Sequence, residues 1–336
     1  MRQKNGSEPL VRVEDLQVAF VGGDATVHAV NGVNLTLDRG EVLCILGESG
    51  SGKSVTLKAM MRLLPRSARL GGHVSVAGLD MLGMSEAQLA DARGDIVSMI
   101  FQEPMLAFDP VYTVGRQITE TIIRHERINA AAAQKRALEL FELVQIPSPA
   151  RRLKAYPHEL SGGMRQRAMI ALALSCRPSL LLADEPTTAL DATVQIQILL
   201  LLRRLQQELG MAVIFVTHDV GVAIEVADRI AVMYAGRFVE TAPVRAVIRD
   251  PRHPYTQGLL ASTVHGAMRG KRLEAIPGSP PDMTSLPAGC SFAPRCGHAE
   301  AACLGAVPGE TWVAKSHMVR CVRSDAEFRG LAPAGP

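Results

Sequence analysis

The stretch GESGSGKS, residues 47–54, decides the fold of this chain. It fits the phosphate-loop pattern G-x-x-x-x-G-K-[ST], whose glycines let backbone N–H groups surround a phosphate. The apolar run VLCIL, residues 42–46, precedes it, and residues 55–64 have helical spacing. The expected order is a buried strand, a phosphate loop and a helix whose N-terminal dipole favours an anion. A Gly- and Ser-rich turn with a chance lysine is the alternative, and the flanking strand and helix disfavour it.

The loop residues predict a nucleotide site that includes a magnesium ion. Lys53 is expected to reach the β- and γ-phosphates, and Ser54 to offer its hydroxyl to Mg²⁺. The remaining predicted phosphate-binding positions are Gly47, Glu48, Ser49, Gly50, Ser51 and Gly52.

Length and composition narrow the class of protein. A chain of 336 residues has room for one large domain and an appendage. Its apolar stretches fall short of the ~18 residues that a membrane span needs, and the start MRQKNGSEPL has no apolar signal core. We therefore expect a soluble cytoplasmic protein. The net charge is +3, and no basic run typical of a nucleic-acid groove is present.

Hydrophobic patterning predicts an α/β fold. Alternating apolar and polar residues near the N-terminus indicate antiparallel strands, and residues 85–155 read as helices. SLLLADEP and MAVIFVTHD are short apolar strands of the kind buried in a parallel sheet, and helical runs alternate with them. The last 96 residues hold 11 of the 20 prolines. We expect this part to be an irregular, separately organised extension rather than more sheet and helix.

Two adjacent acids end one predicted strand, at the position where ligands sit in an open α/β sheet. Asp184 is placed to hold Mg²⁺, directly or through water. Glu185 is the candidate general base, because a water that attacks a γ-phosphate in line needs a positioned proton acceptor. A solvated turn is the alternative, but a buried strand would not end in two charges beside a phosphate loop without a cation to receive them.

A second anion site is predicted at LSGGMRQR, residues 160–167, which opens a helix. Two phosphate-binding devices, one of them without a lysine, suggest that two chains share each nucleotide. Here the sequence resembles the ATP-binding subunits of ABC transporters, in which the signature turn of one subunit closes on the ATP held by its partner. The elements that carry the resemblance, in the family's order, are Phe20, GESGSGKS, Gln102 in FQEP, LSGGMRQR, LLLADEP, ALD at 189–191 and His218 in VTHD.

The resemblance implies a role for each of these residues. Phe20 would stack on adenine, and Gln102 would coordinate Mg²⁺ or the attacking water and sense the γ-phosphate. His218 would hydrogen-bond the γ-phosphate and hold the water in line; a lone histidine after a strand is more often structural. Ser161, Gly162 and Gly163 of the signature turn would contact the ATP bound by the partner subunit. Asp191 would cross the dimer interface.

The same resemblance implies the fold and its boundaries. It implies a P-loop NTPase with an ABC-type nucleotide-binding domain over residues 8–245. This domain would combine a RecA-like core, an antiparallel β subdomain and a helical subdomain at about 85–160. The cysteine-containing C-terminal extension would follow at 246–330.

The extension narrows the family. RHPYTQGLL at 252–260 and IPGSPPDMTSLPAGCSFAPRC at 276–296 resemble the C-terminal extension of the oligopeptide/dipeptide importer ATPases. This implies the ATP-hydrolysing subunit of a bacterial importer, peripheral on the cytoplasmic face of the inner membrane. The implied partners are a second, often distinct ATPase, two permeases and a separate substrate-binding protein, with no nucleic acid. The cargo stays open, because relatives carry dipeptides, oligopeptides, nickel chelates or opines.

Four of the six cysteines lie in the extension. In a cytosolic chain such a group is more typical of a metal site than of disulfides, although the spacing lacks C-x₂-C. The resemblance implies a [4Fe–4S] cluster with a structural role, and zinc or free thiols are the alternatives. Cys44 and Cys176 are expected in the core. The predicted ligands are Cys290, Cys296, Cys303 and Cys321.

Two rival functions are weaker. A non-transport ABC ATPase that acts on DNA or the ribosome would need a long coiled coil or a second motor domain. Only 108 positions separate Lys53 from Ser161, which leaves no room for a coiled coil. A small-molecule kinase would explain neither residues 160–167 nor His218.

Overall fold

The computed structural model describes residues 8–23, 25–187, 190–262 and 275–324. Ala189 of the ALD motif and residues 263–274 and 325–330 of the predicted extension lie outside this part of the chain. In chain order the described strands are β1 (Val11–Val21), β2 (Thr26–Leu37), β3 (Val42–Leu46), β4 (Ala68–Val76), β5 (Leu79–Asp80), β6 (Val97–Ile100), β7 (Leu180–Asp184), β8 (Ala212–Thr217), β9 (Arg229–Tyr234), β10 (Arg237–Pro243), β11 (Thr311–Ala314) and β12 (His317–Val319).

The described α-helices connect these strands and cover the main sheet. They are α1 (Lys53–Met60), α2 (Glu86–Asp95), α3 (Pro104–Ala107), α4 (Val114–Glu126), α5 (Ala130–Leu143), α6 (Pro149–Arg152), α7 (Gly162–Ala173), α8 (Ala192–Leu209), α9 (Val220–Val226), α10 (Val244–Arg249), α11 (Pro254–Ala261) and α12 (Ala301–Gly305).

The described strands form two sheets. One has the order β2-β1-β4-β5, with antiparallel pairing throughout. The other has the order β11-β12-β10-β9-β3-β8-β7-β6, and its strands from β9 to β6 are parallel. This is the mixed α/β arrangement that the sequence predicts.

Strand β3 is apolar at every position and does not alternate apolar with polar residues. All five of its residues are buried. Leu43 and Ile45 pack toward the antiparallel sheet and α1, whereas Val42, Cys44 and Leu46 pack toward the helices on the opposite face. A strand covered on both faces needs apolar side chains at every position. The predicted burial of Cys44 is therefore confirmed.

Helices α2, α4 and α5 each begin at a polar capping residue. The side chains of Ser85, Thr113 and Asn129 accept N–H groups of the first turns of α2, α4 and α5. Such caps satisfy donors that have no partner within a helix. The apolar face of α4, which includes Ile118 and Ile122, then packs into the core shared with α5 and α7.

The expectation that the extension adds no further sheet is wrong. Strand β12 pairs with β10, with Glu240 opposite Val319, and β11 pairs with β12. The buried Glu240 carboxylate also accepts a hydrogen bond of 2.7 Å from the Nε2 atom of His317. Main-chain pairing and this buried contact fasten the end of the extension to the edge of the main sheet.

Candidate nucleotide site

The site lies where four parallel strands end. Strands β3, β8, β7 and β6 are adjacent and parallel, so their carboxyl ends share one edge of the sheet. The phosphate loop follows β3, Asp184 ends β7, His218 follows β8 and Gln102 follows β6. Ligands of open α/β sheets bind at this edge. The fold thereby brings four distant sequence motifs to one side of the molecule.

The phosphate loop depends on its glycines. Gly50 and Gly52 adopt φ angles of 77° and 104°, which side-chain-bearing residues rarely adopt. A Cβ on Gly47 would lie under 3.0 Å from the backbone oxygen of Met233. Inside the loop, the Ser51 hydroxyl is buried and has no hydrogen-bond partner among the described residues. A buried unsatisfied hydroxyl of this kind suits a site that takes a phosphate oxygen.

Lys53 is buried at the start of α1. Its Nζ donates hydrogen bonds of 2.8 Å to the carbonyl oxygens of Gly47 and Glu48. Burial lowers the pKa of Lys53, and the nearby carboxylates of Glu185 and Asp184 oppose that shift. A desolvated ammonium held by the loop's own carbonyls is positioned to exchange them for phosphate oxygens.

Ser54 and Asp184 form the second contact of the site. The Ser54 hydroxyl donates a 2.6 Å hydrogen bond to Oδ1 of Asp184, which is buried at the end of β7. Burial raises the pKa of Asp184, and the bond from Ser54 opposes it. Among the described residues no group of three or more His, Cys, Asp or Glu is arranged to hold a metal ion. Mg²⁺ needs no such group, because one carboxylate, a hydroxyl, phosphates and waters satisfy it, so this oxygen pair fits Mg²⁺.

Glu185 and His218 form the third contact. The Nδ1 atom of His218 lies 3.3 Å from Oε2 of Glu185. Glu185 has a φ of 45°, and its N–H donates to the carbonyl of Val216 in β8. A left-handed backbone at a residue with a side chain costs about 1 kcal/mol and persists where surrounding contacts impose it. The acid and the imidazole thus lie together at the sheet edge that also carries the phosphate loop.

Three predicted residues lie at the margin of this cluster. Gln102 is exposed, and within the described residues no hydrogen bond joins it to the phosphate loop. Phe20 is half-buried on β1, opposite Val27 of β2 and Ala68 of β4. Ser49 is exposed on the loop itself. Their predicted roles toward adenine, water and phosphate remain predictions.

The signature turn lies beside the start of α8. Ser161 caps α7, and its hydroxyl accepts the N–H of Met164 at 3.3 Å. A Cβ on Gly163 would lie 3.1 Å from Cγ1 of Val194, whose own N–H is accepted by Asp191 at 3.0 Å. Ser161, Gly162 and Asp191 are exposed. The two elements predicted to meet a partner's nucleotide are therefore close to each other and accessible.

The four cysteines of the extension line one small cavity. The N–H of Cys290 donates to the carbonyl of Cys303 at 2.7 Å. Burial raises the pKa of the Cys290 and Cys296 thiols, and it raises that of Cys321 to about 11. The four thiols are thus collected around one space, and burial disfavours the charged form of Cys290, Cys296 and Cys321. No three of them, among the described residues, are arranged as metal ligands in this structure.

Sequence reasoning missed two residues that touch the phosphate loop from the extension. The hydroxyl of Tyr255 accepts the N–H of Glu48 at 2.9 Å. Arg295 donates two hydrogen bonds to the carboxylate of Glu48. Both residues lie in the segments that carry the resemblance of the extension, but nothing in those segments indicates a contact with residues 47–54.

The fold and this site define an ABC-type ATPase. Residues 30–188 match the family model described as ABC transporter. A solved dimeric ATP-binding cassette, MJ0796 bound to ADP and Pi in a post-hydrolysis state, is 30% identical with a TM-score of 0.63, covering 70% of this chain and 99% of that one. CbiO1 of Clostridium perfringens, part of a cbiONQ transporter complex, is 26% identical with a TM-score of 0.61, covering 73% of this chain and 92% of that one. The predicted fold class and the predicted ATPase activity are confirmed.

Curated relatives narrow the class further. Residues 239–303 match the family model described as oligopeptide/dipeptide transporter, C-terminal region. The oligopeptide transport ATP-binding protein OppD of Bacillus subtilis is 51% identical, covering 86% of this chain and 82% of that protein. The dipeptide transport ATP-binding protein DppD of the same organism is 46% identical, covering 95% and 96%. The chain belongs to this oligopeptide/dipeptide family of ABC transporter ATP-binding proteins. None of its described helices is long and apolar enough to cross a bilayer.

Proposed function

We propose that this ATPase energises the uptake of dipeptides, oligopeptides or a related small solute through separate permease subunits. The observation that carries the proposal is the set of contacts beside the phosphate loop: Ser54 to Asp184 at 2.6 Å and His218 to Glu185 at 3.3 Å. They support the proposal that this edge of the sheet holds a magnesium site and a general base. The names of the peptide-transport relatives supply the substrate class, and they give no support to a nucleic-acid or ribosome function.

Each residue has a proposed role in hydrolysis. The loop N–H groups and Lys53 bind the phosphates. Ser54 and Asp184 would hold Mg²⁺, which would screen the charge that develops on the leaving phosphates. Glu185 accepts the proton of the attacking water, and His218 bonds the γ-phosphate and fixes the water's orientation. Gln102 would bind Mg²⁺ or that water from the end of β6, and Phe20 would stack on adenine.

A second ATPase completes the site in this proposal. Ser161, Gly162, Gly163 and Asp191 would meet nucleotide held by the partner, which is consistent with their exposure and with the dimeric relative of known structure. The pair is either two copies of this chain or this chain with a related one. Two permeases and a substrate-binding protein complete the importer, with the ATPase peripheral on the cytoplasmic face of the inner membrane.

Co-expression with peptide-permease subunits from the same genome tests the transport assignment. We expect the chain to co-purify with them, and its ATPase activity in proteoliposomes to rise when peptide-loaded binding protein is added. Co-purification with ribosomes or nucleic acid, without permeases, would overturn the proposal in favour of its main rival.

We further propose that the extension binds a [4Fe–4S] cluster, with zinc as the alternative. The cavity that all four cysteines line and the preference of iron and zinc for sulfur donors support this. Metal binding would have to displace the thiol protons that burial favours, so the metal affinity should fall as the pH falls. The metal would cross-link loops that are rich in Pro and Gly. Iron, sulfide and zinc analysis of protein purified without oxygen distinguishes the two forms, at about four irons and four sulfides or one zinc per chain.

Substitution of single cysteines tests which thiols take part. Cys296→Ser or Cys303→Ser should remove the metal, because each deletes a proposed ligand, while MgATP binding is retained. Cys176→Ser is the matched control, since Cys176 is buried outside the extension and should leave the metal content unchanged. Metal-free protein with four alkylatable thiols under anaerobic conditions would contradict both forms of the proposal.

A further inference from the structure

The C-terminal extension contacts the phosphate loop at Glu48. Arg295 follows 247 positions later, and its Nη1 and Nη2 atoms donate to Oε2 and Oε1 of Glu48 at 2.7 and 3.0 Å. Tyr255, at the start of α11, accepts the N–H of Glu48. The extension thus holds both the side chain and the backbone of one phosphate-loop residue.

The environment of Arg295 fixes the orientation of this pair. The Arg295 side chain is 4% exposed, and its Nε donates to the carbonyl of Pro277 at 2.9 Å. Its guanidinium lies 5.8 and 5.9 Å from the ring centres of Tyr234 and Phe292. A two-pronged Arg–carboxylate pair with one partner this buried is geometrically specific, unlike an exposed surface pair.

Glu48 in turn fixes the backbone on which phosphate binding depends. Its carbonyl oxygen accepts Nζ of Lys53 at 2.8 Å and the N–H of Ser51 at 3.3 Å. A displacement of Glu48 therefore shifts the resting position of the Lys53 ammonium and the N–H of the loop. Small misplacements of binding groups are costly, because phosphate recognition requires several donors to converge.

Arg295 is also continuous with the cysteine-bearing part of the extension. It ends a short 3₁₀ turn, Ala293–Arg295, in which the N–H of Ala293 donates to the carbonyl of Cys290 at 3.0 Å. The N–H of Cys296 donates to the carbonyl of Ala293 at 3.2 Å. A shift in the backbone of Cys290 or Cys296 would therefore move the turn that carries the Arg295 side chain.

We propose that Arg295 is a positioning residue for nucleotide binding, which couples segment 290–296 of the extension to the phosphate loop through Glu48. The proposal rests on the proposed function in one respect, that the loop binds ATP. It adds that the conformation of the cysteine-lined cavity affects nucleotide binding, and that nucleotide binding affects this conformation in return.

Nucleotide titration of the full chain tests the positioning role. Arg295→Gln should raise the Kd for MgATP about tenfold, which corresponds to about 1.4 kcal/mol. The kcat of the assembled complex at saturating ATP should stay within about twofold, because Arg295 does not touch the acid and imidazole of the third contact. Arg295→Lys should recover part of the affinity, since it restores the charge without the two-pronged geometry.

Arg320→Gln is the matched control. Arg320 also precedes a cysteine, and it pairs with Glu310 at 2.8 Å within the extension. Its side chain bonds Pro308 and Glu310 rather than the phosphate loop. This variant should keep the Kd for MgATP within about twofold of the wild-type value.

Glu48→Gln completes a double-mutant cycle. The double variant with Arg295→Gln should bind MgATP no more weakly than the worse single variant, because both singles break the same pair. Wild-type affinity in Arg295→Gln, or losses that add, would overturn the proposal. If Arg295→Gln does not fold, Glu48→Gln and Arg295→Lys carry the test. Wild-type protein that fails to bind MgATP would instead overturn the proposed function.

Hydrogen exchange tests the reverse direction of the coupling, which thermodynamic linkage requires. MgATP should slow amide exchange in residues 290–296 of the wild-type full chain and should leave that segment unchanged in Arg295→Gln. Strand β12, which pairs with β10 away from Arg295, is the internal reference. Exchange in residues 290–296 that does not respond to MgATP in the wild type would overturn the coupling.

Discussion

Glu185, the proposed general base, has its backbone and side chain held by neighbouring residues. Its backbone is left-handed, its N–H is bonded to β8, and its carboxylate lies 3.3 Å from the imidazole of His218. The strand pair therefore holds the residue in a conformation that its own side chain disfavours. A general base has to be held in this way, since its proton acceptor must meet a water in line with the γ-phosphate.

We predict that Glu185→Gln retains MgATP binding and loses steady-state hydrolysis by roughly 10²-fold or more, because the amide keeps the shape and loses the proton acceptor. Turnover and nucleotide affinity of the assembled complex measure the two effects. Glu225→Gln, at an exposed position of α9, is the control and should hydrolyse normally. Near-normal turnover of Glu185→Gln would remove Glu185 from its proposed role.

Lys53→Ala should act on binding rather than on turnover. The substitution deletes a buried ammonium that is hydrogen-bonded to two loop carbonyls, so the phosphates lose their charged donor. We expect a rise of at least about tenfold in the Kd for MgATP, measured by titration. A titration curve that coincides with that of the wild type would contradict the assignment.

At the scale of elements, the phosphate loop is the turn that joins β3 to α1. Gly52 precedes α1 with a φ of 104°, and a Cβ there would lie under 3.0 Å from the carbonyl oxygen of Ala29. Gly50 also has a positive φ, but a Cβ on it would meet nothing within 4 Å. A side chain at Gly50 would therefore meet backbone strain alone, whereas one at Gly52 would meet both backbone strain and steric overlap.

We predict that Gly52→Ala destabilises the nucleotide-free chain more than Gly50→Ala. Gly50→Ala should cost about 1 kcal/mol from the left-handed backbone alone. Gly52→Ala adds the overlap with Ala29, so its cost should exceed that value by at least about 1 kcal/mol. Denaturant unfolding of the two variants measures the difference. Equal losses would show that the loop moves away from Ala29 without cost.

At the scale of the whole molecule, the extension is integrated with the ATPase core. Its β12 joins the main sheet, and its Arg295 and Tyr255 hold Glu48 of the phosphate loop. His253 lies at this junction, where its Nδ1 accepts the N–H of Tyr255 at 3.0 Å. Burial lowers the pKa of His253 to about 4, although the nearby Glu240 opposes the shift.

The depressed pKa of His253 predicts a loss of stability in acid. Between pH 6.5 and 4 the unfolded chain binds a proton that the folded chain excludes, so the free energy of unfolding falls as the pH falls. His253 should contribute a loss of about 2 kcal/mol between pH 7.5 and 5. His253→Asn keeps an acceptor for the N–H of Tyr255 and does not titrate. Denaturant unfolding at both pH values should show a smaller loss for the variant, and an equal loss would refute the prediction.

The sequence predicts a nucleotide site from motifs whose chemistry is local. Residue types and flanking strands are enough to predict the roles of the loop, residues 47–54, and of the acids at 184 and 185. The comparisons confirm the class of protein that these motifs indicate. Their meeting at one sheet edge follows from parallel strand order, which alternating strand and helix patterns already imply.

The tertiary structure alone decided how the extension joins the core. Arg295 could pair with many carboxylates, and residues 47–54 give no sign of which one; the fold selects Glu48, 247 positions away. Strand β12 has three residues, too few for its periodicity to predict a strand, and it forms because β10 offers it an open edge. Local sequence determines which chemical groups are present and the backbone around them. The partners of a charged side chain or a short strand depend on the packing of the whole chain, which no local segment encodes.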